Sequence, residues 1–317
     1  MAYKQLTYAQ RCQIFALRRR GLSCRGIAAD IGVHHTTVSR ELRRNSGGWG
    51  YRHDQAQRMS LARRHRIRPR ITGGLRQLIN SKLALKWSPD QIAGWLRRHG
   101  IARLSSQAIY RHITRHPRLR RHLRHQGKRY RKAAQGRTGP IAGRIGIQDR
   151  PEVVERKSRA GDWELDTIRG TGRAVVVSMV DRASKYCQLR LAEGPDATCV
   201  SRALLAALMP SNRRVRTLTV DNGPEFAKHV GIGYKLQADV YFARPYHAWE
   251  RGLSEHTNGL VRQFLPKGTN FDQLTPARLR HIQHLLNNRP RAVLGFRTPK
   301  EAYELLAKTD QAGAVEL

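Results

Sequence analysis

Residues 161–168 read G-D-W-E-L-D-T-I, and acidic side chains alternate there with mostly apolar ones. Successive side chains of a strand point to opposite faces, so Asp162, Glu164 and Asp166 share one face while Trp163 and Leu165 share the other. Three carboxylates on one face repel each other unless they lie near cations or at a sheet end. The segment therefore predicts a strand whose acidic face lies near cations or at the end of a sheet.

The chain that follows predicts a mixed α/β domain. Residues 175–180 form an apolar strand, 181–184 a tight turn and 186–191 a return strand. An apolar helix over 199–208 precedes a further strand over 216–220, which ends at Asp221. The Asn222-Gly223-Pro224 turn then leads into a helix expected to begin at Glu225. Strands and helices in this order predict an α/β fold with a mixed sheet.

Asp221 follows a strand directly, at the sheet edge where α/β proteins usually place their chemistry. An acid of the 162–166 strand can lie beside it, and a third can come from a later helix near 254–261. Asp162, Glu164 and Asp166 remain alternatives for the second acid, while Glu250 and Glu255 are alternatives for the third. Three converging carboxylates bind a pair of Mg²⁺ ions roughly 4 Å apart, which position a phosphodiester for in-line attack.

The charge of the chain indicates a polyanionic partner. The 317 residues carry a formal net charge of +37, and residues 1–150 alone hold 35 Lys and Arg against 5 Asp and Glu. Nucleic acid is the first candidate. A membrane surface is disfavoured because no Lys-rich amphipathic helix with a large apolar face is evident. No apolar run is long enough to span a bilayer, and we expect a cytoplasmic protein.

The first 60 residues predict a helix-turn-helix domain. Thr7 and Gln10 form a capping box before a helix over 8–20, Ser23 caps a short second helix, and residues 35–44 form a third. The third helix would enter the major groove, whereas a plain three-helix bundle with a basic surface is the alternative. The DNA-binding candidates are Thr36, Thr37, Ser39, Arg40, Arg43 and Arg44.

A second helical domain, over 61–116, has a less specific helix-turn-helix outline. Ser88-Pro89-Asp90-Gln91 begins one helix and residues 105–113 form the next, with Ser106, Gln107 and Arg111 as DNA-binding candidates. A purely structural helical pair is the alternative. The expected order continues with a basic linker over 117–150, the catalytic domain over 151–308 and a tail over 309–317.

Several motifs resemble one family over nearly the whole chain. They are G-D-W-E-L-D-T-I-R-G at 161–170, T-V-D-N-G-P-E-F at 219–226, H-A-W-E-R-G-L-S-E-H-T-N-G-L-V-R-Q-F-L-P-K-G-T at 247–269 and N-N-R-P-R at 287–291. With the N-terminal helix-turn-helix, they resemble bacterial insertion-sequence transposases of the IS-thirty family. The 33 residues between Asp221 and Glu255 match the spacing typical of that family.

The resemblance implies a ribonuclease-H-like, integrase-like catalytic domain with an Asp-Asp-Glu triad of Asp166, Asp221 and Glu255. It implies two Mg²⁺ ions, which Mn²⁺ can replace, and in-line strand cleavage and transfer without a covalent protein–DNA intermediate. The implied partners are the terminal inverted repeats, target DNA and further copies of the chain, in a homodimer or larger assembly. Asn258, Arg262 and Lys267 are further candidates for DNA contacts, and a polar or solvated helix face is their alternative.

Overall fold

The computed structural model describes residues 5–65, 71–124, 141–210, 215–244 and 247–312. The chain divides into two compact units, Met1–Thr72 and Gly73–Leu317. Among the described residues, no helix has both the length and the apolar character needed to cross a membrane.

The first unit is a four-helix domain with a short hairpin. Its helices are α1 (Tyr8–Arg19), α2 (Cys24–Asp30), α3 (His35–Asn45) and α4 (His53–His65), and its strands are β1 (Ser46–Gly47) and β2 (Gly50–Tyr51). The expected capping box of Thr7 and Gln10 is present, and Ser23 caps α2. Ile14, Ile27 and Val38 are fully buried and join α1, α2 and α3 in one core.

A buried ion pair links α1 to α3 in this domain. Arg11 Nε donates to Glu41 at 2.7 Å, and both side chains are almost completely buried. Arg11 also donates to the Leu6 carbonyl and to Gln57. These contacts hold the face of α3 that carries Glu41 against the rest of the domain. Ser39 and Arg40 of the same helix remain exposed.

The second unit begins with three helices, α5 (Gly73–Ala84), α6 (Pro89–Arg98) and α7 (Ser106–Arg115). The expected Ser88–Gln91 capping box opens α6, and Ser105 caps α7. Gly94 of α6 lies directly under the ring of Phe296, and a Cβ at position 94 would overlap that ring. Helix α6 therefore packs tightly against the segment that follows the Asn-Asn-Arg-Pro-Arg motif.

The rest of the second unit is built on a six-stranded mixed sheet. The strands are β3 (Ile145–Gly146), β4 (Asp162–Arg169), β5 (Val175–Asp181), β6 (Cys187–Ala192), β7 (Thr217–Val220) and β8 (Asp239–Phe242), in the spatial order β3-β8-β7-β4-β5-β6. β5 is antiparallel to both β4 and β6, whereas β7 is parallel to β4 and β8. This topology is the ribonuclease-H-like arrangement expected from the family resemblance.

Helices cover both faces of the sheet. They are α8 (Glu152–Arg156), α9 (Ala197–Leu208), α10 (His229–Leu236), α11 (Gly252–Val261), α12 (Pro276–Asn287) and α13 (Pro299–Ala312). Trp163 and Leu165 face the core that contains α9, while Ile168 faces the core that contains α11 and α12. The acidic face of β4 is therefore the face that α11 covers.

Several elements differ from the sequence-based expectations. Strands β3 and β8 were not expected, and the helix expected from Glu225 is a short 3-10 turn over Pro224–Phe226, with α10 starting only at His229. Helix α13 continues into the expected tail, of which 313–317 lie outside the described residues. Residues 125–140 of the expected basic linker also lie outside them. The five-part domain division stays a prediction.

Candidate active site

Two aspartates from neighbouring strands meet at one end of the sheet. β4 and β7 are parallel with Glu164 opposite Thr219, and this register continued by two residues places Asp166 beside Asp221. Both carboxylates are partly accessible, with 17% of the Asp166 side chain and 33% of the Asp221 side chain exposed. The site is thus open to a ligand yet built on rigid strands.

The guanidinium of Arg251 lies between these two carboxylates. Its Nη1 is 3.5 Å from Asp166 Oδ1, and its Nη2 donates to Asp221 Oδ2 at 3.2 Å. One cationic group therefore contacts both acids at the position where they converge. An arrangement that accepts a guanidinium in this way presents hard oxygen donors suited to a divalent cation.

Asn258 of α11 completes the contacts of Asp166. Its Nδ2 donates to Asp166 Oδ2 at 2.8 Å, and the backbone N–H of Thr167 donates to Oδ1 at 2.9 Å. Both oxygens of this carboxylate therefore have a hydrogen-bond donor. Asn258 orients Asp166 in this structure, and its expected DNA contact stays a prediction.

Burial raises the pKa of Asp166 to about 6. The positive charge of Arg251 opposes this rise, while the negative charge of Asp221 adds to it. A carboxyl group with a pKa near 6 is largely ionised at neutral pH but loses its charge in mildly acidic solution.

The other two acids of β4 are buried and paired. Arg159 donates to both oxygens of Asp162, and Thr217 Oγ1 donates to the same carboxylate at 2.9 Å. Glu164 accepts from Arg182 at 2.7 Å and from the backbone N–H of Ser254 at 3.2 Å. These partners account for the acidic strand face without a metal, and they leave Asp166 as the accessible acid of β4.

Glu225 is a further carboxylate at the site that the sequence patterns did not indicate. It is 7% exposed and accepts from Thr167 Oγ1 at 2.8 Å. A Cβ at position 223 would overlap Glu225 and lie 2.9 Å from Asp221 Oδ1. Gly223 therefore allows both carboxylates to approach the same point. The four-residue spacing from Asp221 in D-N-G-P-E, directly after a strand, is the signal that could have indicated it.

Glu255 is exposed on α11, three residues before Asn258. In the described part of the chain it makes no hydrogen bond or ion pair, and no three His, Cys, Asp or Glu side chains are grouped as a metal site. The structure thus brings together Asp166 and Asp221 but not the whole expected triad, which stays a prediction. Its rival Glu250 is paired with Arg244, whose Nε donates at 2.6 Å.

The DNA-binding candidates lie in three places. Ser39, Arg40, Arg43 and Arg44 are exposed on α3, with Thr36 and Thr37 half-buried, and on α7 Gln107 and Arg111 are exposed while Ser106 is half-buried. Lys267 is exposed, whereas Arg262 donates to the backbone carbonyl of Arg169 and its guanidinium lies over the ring of Phe271. No bound nucleic acid tests these residues, and their contacts stay predictions.

Arg251 was also missed by the sequence analysis. It lies in W-E-R-G, immediately before α11, and belongs to no periodic pattern. Only the folded chain shows that this residue and two strand ends converge.

Comparisons with known proteins agree with this architecture. Residues 2–45 match the model of a helix-turn-helix domain family. The chain is 39% identical to the transposase of insertion sequence element IS4351 from Bacteroides fragilis, over 95% of this chain and 96% of the relative. It is 35% identical to transposase InsI of element IS30A from Escherichia coli K12, over 96% and 84%, and 34% identical to the transposase of element IS1086 from Cupriavidus metallidurans, over 94% and 93%.

A solved structure, the catalytic core domain of BIV integrase, is similar at 22% identity with a TM-score of 0.39, over 48% of this chain and 98% of that one.

The helix-turn-helix domain and the transposase relatives identify a DNA-binding protein of the polynucleotidyl transferase class. At 34–39% identity to insertion-sequence transposases over nearly its full length, the chain belongs to the IS-thirty family of transposases.

Proposed function

We propose that this protein binds the terminal inverted repeats of its insertion sequence and catalyses metal-dependent cleavage and strand transfer of their DNA. The observation that carries the proposal is the convergence of Asp166 and Asp221 on one cationic group, at the open end of a ribonuclease-H-like sheet. The helix-turn-helix domain and the family membership indicate that the substrate is DNA.

Asp166, Asp221 and Glu255 would hold two Mg²⁺ ions, for which Mn²⁺ is a substitute. The fit rests on the two aspartates, which already share one cation and leave part of their surface open. Bound divalent cations would activate the attacking oxygen and stabilise the departing one. Asn258 would keep Asp166 oriented through its 2.8 Å hydrogen bond. Arg251 would have to leave the position between the aspartates.

Glu255 would complete this set from α11. Ser254 and Asn258 of the same helix bond to Glu164 and Asp166 respectively, so α11 is fixed along the acidic face of β4. The exposed Glu255 side chain would have to turn toward the two aspartates, as Arg251 leaves them. Two aspartates held by strands and a third acid that moves on a helix would suit a site that assembles when DNA and metal bind.

The proposed reaction has two steps, hydrolysis of one phosphodiester and then transfer of the freed strand end to another. Water attacks the phosphodiester at an element end and breaks its P–O3′ bond, which leaves a 5′-phosphate and a 3′-hydroxyl. This hydroxyl then attacks a second phosphodiester, and a new P–O3′ bond forms as the 3′-oxygen of the attacked strand departs. Because two ends must be joined, the working form is a homodimer or larger assembly on paired ends. Such chemistry on chromosomal DNA requires a cytoplasmic, nucleoid-associated protein.

A DNA-binding regulator with an inactive catalytic domain is the competing function. The exposed, unpartnered state of Glu255 among the described residues is the observation that favours it. The two functions share the DNA-binding surfaces and differ only at the acidic site.

The test is joining of labelled element-end DNA in the presence of Mg²⁺. Wild-type protein should join the ends, and Glu255→Gln should lose joining by at least about 10³-fold while specific binding is retained. Glu250→Gln tests the rival acid, and Glu304→Gln on α13 is the matched control for a lost exposed charge. Full joining by Glu255→Gln would exclude Glu255 from the site. Specific binding without joining by wild type would support the regulator.

A further inference from the structure

Three arginines and a histidine gather where α6, α11 and the end of α12 meet: Arg124, His256, Arg289 and Arg291. The guanidinium of Arg124 covers Gly259 of α11 so closely that a Cβ at position 259 would overlap its Nη2. His256 lies three residues before Gly259, on the same face of the helix. Both Arg124 and His256 are exposed to solvent.

Arg289 lies behind this exposed pair and is only 3% exposed. Its Nε donates to Gln91 Oε1 of α6 at 2.7 Å, and its Nη1 donates to Gln263 Oε1 at 3.0 Å. Both acceptors are neutral amides. The buried charge is therefore hydrogen-bonded but not neutralised.

Arg291 is the second buried cation of the cluster. Its Nη2 donates to the Leu286 carbonyl at 3.4 Å, whereas its Nε and Nη1 are buried without a hydrogen-bond partner. A buried guanidinium with open donors is unfavourable unless an anion meets it, because the desolvation of the charge is not repaid.

The electrostatics show how little negative charge is near. Burial, with Arg291 and Arg124 nearby, lowers the pKa of Arg289 to about 9. Burial, with Arg124 nearby, also lowers the pKa of Arg291. Among the described residues, no carboxylate forms an ion pair with Arg124, Arg289 or Arg291.

We propose that this cluster is a binding site for a backbone phosphate of the DNA substrate. Arg124 and His256, the two exposed members, donate hydrogen bonds to the phosphate oxygens. Arg289 and Arg291 lie behind them and supply positive charge that no protein group cancels. A guanidinium is well suited to this contact because its donors match the geometry of phosphate.

The inference rests on the proposed function. The cluster would hold the DNA backbone next to the carboxylates of the candidate active site. His256 is the neighbour of Glu255 in α11, and Gln91 links Arg289 to α6, the first helix of the second helix-turn-helix outline. A phosphate bound here would lie next to the helix that supplies the third acid. The site would therefore fix the position of the strand to be cut.

The experiment compares full-length wild type, Arg124→Ala and Arg291→Gln in binding duplex DNA over a series of salt concentrations. Each lost phosphate contact should reduce the slope of log affinity against log salt by about 0.9. The affinity of Arg124→Ala should fall about tenfold, equally for element-end and random duplexes. Ethylation of one phosphate near the cleavage site should impair binding by wild type but not by Arg124→Ala.

Arg202→Ala is the matched control, since Arg202 is an exposed arginine of α9, which packs on the opposite face of the sheet. Its salt slope should equal that of wild type. Unchanged slopes for both cluster variants, in a wild-type protein that joins DNA ends, would overturn the inference alone. Failure of wild type to bind or join would instead overturn the proposed function. Arg124 is exposed, so its variant keeps the test valid even if Arg291→Gln unfolds.

Discussion

Arg251 Nη2 lies 3.2 Å from Asp221 Oδ2, and the same guanidinium reaches Asp166 at 3.5 Å. A positive side chain thus occupies the place between two carboxylates that a divalent cation would need. A metal ion bound to these aspartates, as proposed, would compete with Arg251 for the same oxygens.

Replacement of Arg251 by Ala should tighten Mn²⁺ binding by the DNA-free protein about tenfold, because a competing charge within 4 Å is removed. The measurement is calorimetric titration at pH 8, where Asp166 is ionised. Arg244→Ala, which removes the partner of Glu250, is the control and should leave the affinity unchanged. Unchanged or weaker binding by Arg251→Ala would show that the arginine does not compete.

Asp166 should make stability depend on pH in a defined direction. Its pKa is raised from 3.8 to about 6, so between these values the folded protein binds more protons than the unfolded chain, and stability falls as pH rises. Asp166→Asn should therefore raise the free energy of unfolding by roughly 1–3 kcal/mol at pH 7.5.

The gain from Asp166→Asn should disappear near pH 4, where the acid is protonated in the folded protein. Urea denaturation at both pH values measures the difference, with Glu304→Gln as a control at an exposed carboxyl group. An equal gain at pH 4 and pH 7.5 would mean that ionisation of Asp166 does not cause it.

Gly94→Ala should destabilise the second unit by about 1–3 kcal/mol, because the new methyl group overlaps the ring of Phe296. Gly74→Ala in α5 is the matched control, since no atom lies within 4 Å of its added Cβ, and alanine there should be neutral or slightly stabilising. Urea denaturation measures both changes. In the Phe296→Ala background the cost of Gly94→Ala should be smaller, and an unchanged cost would contradict the packing explanation.

Arg40→Ala should weaken binding to the element ends more than to random DNA, by roughly 1–3 kcal/mol if Arg40 contacts a base. Arg40 is exposed on α3, whose rear is fixed by the buried Arg11–Glu41 pair. Arg25 on α2 provides the comparison, because its replacement by Ala should change binding to both duplexes equally. Equal losses for Arg40→Ala would make it a phosphate contact.

Local rules in the sequence determined most of the elements. Side-chain hydroxyls at Thr7, Ser23 and Ser88 begin helices because they accept hydrogen bonds from the first free N–H groups, and this depends on residues within one turn. The alternation at 161–168 likewise predicted β4 with its acids on one face. The family resemblance then selected Asp166 from three equivalent acids.

Tertiary structure decided which charged side chains are paired within the protein and which remain available to bind a ligand. Asp162 and Glu164 are neutralised by Arg159 and Arg182, and Arg251 spans two strand ends that lie far apart in the chain. Arg289 and Arg291 are buried cations without a carboxylate partner. This is visible only when the groups around them in the folded protein are known. Such pairings depend on the packing of distant segments and on desolvation, and neither leaves a periodic pattern in the sequence.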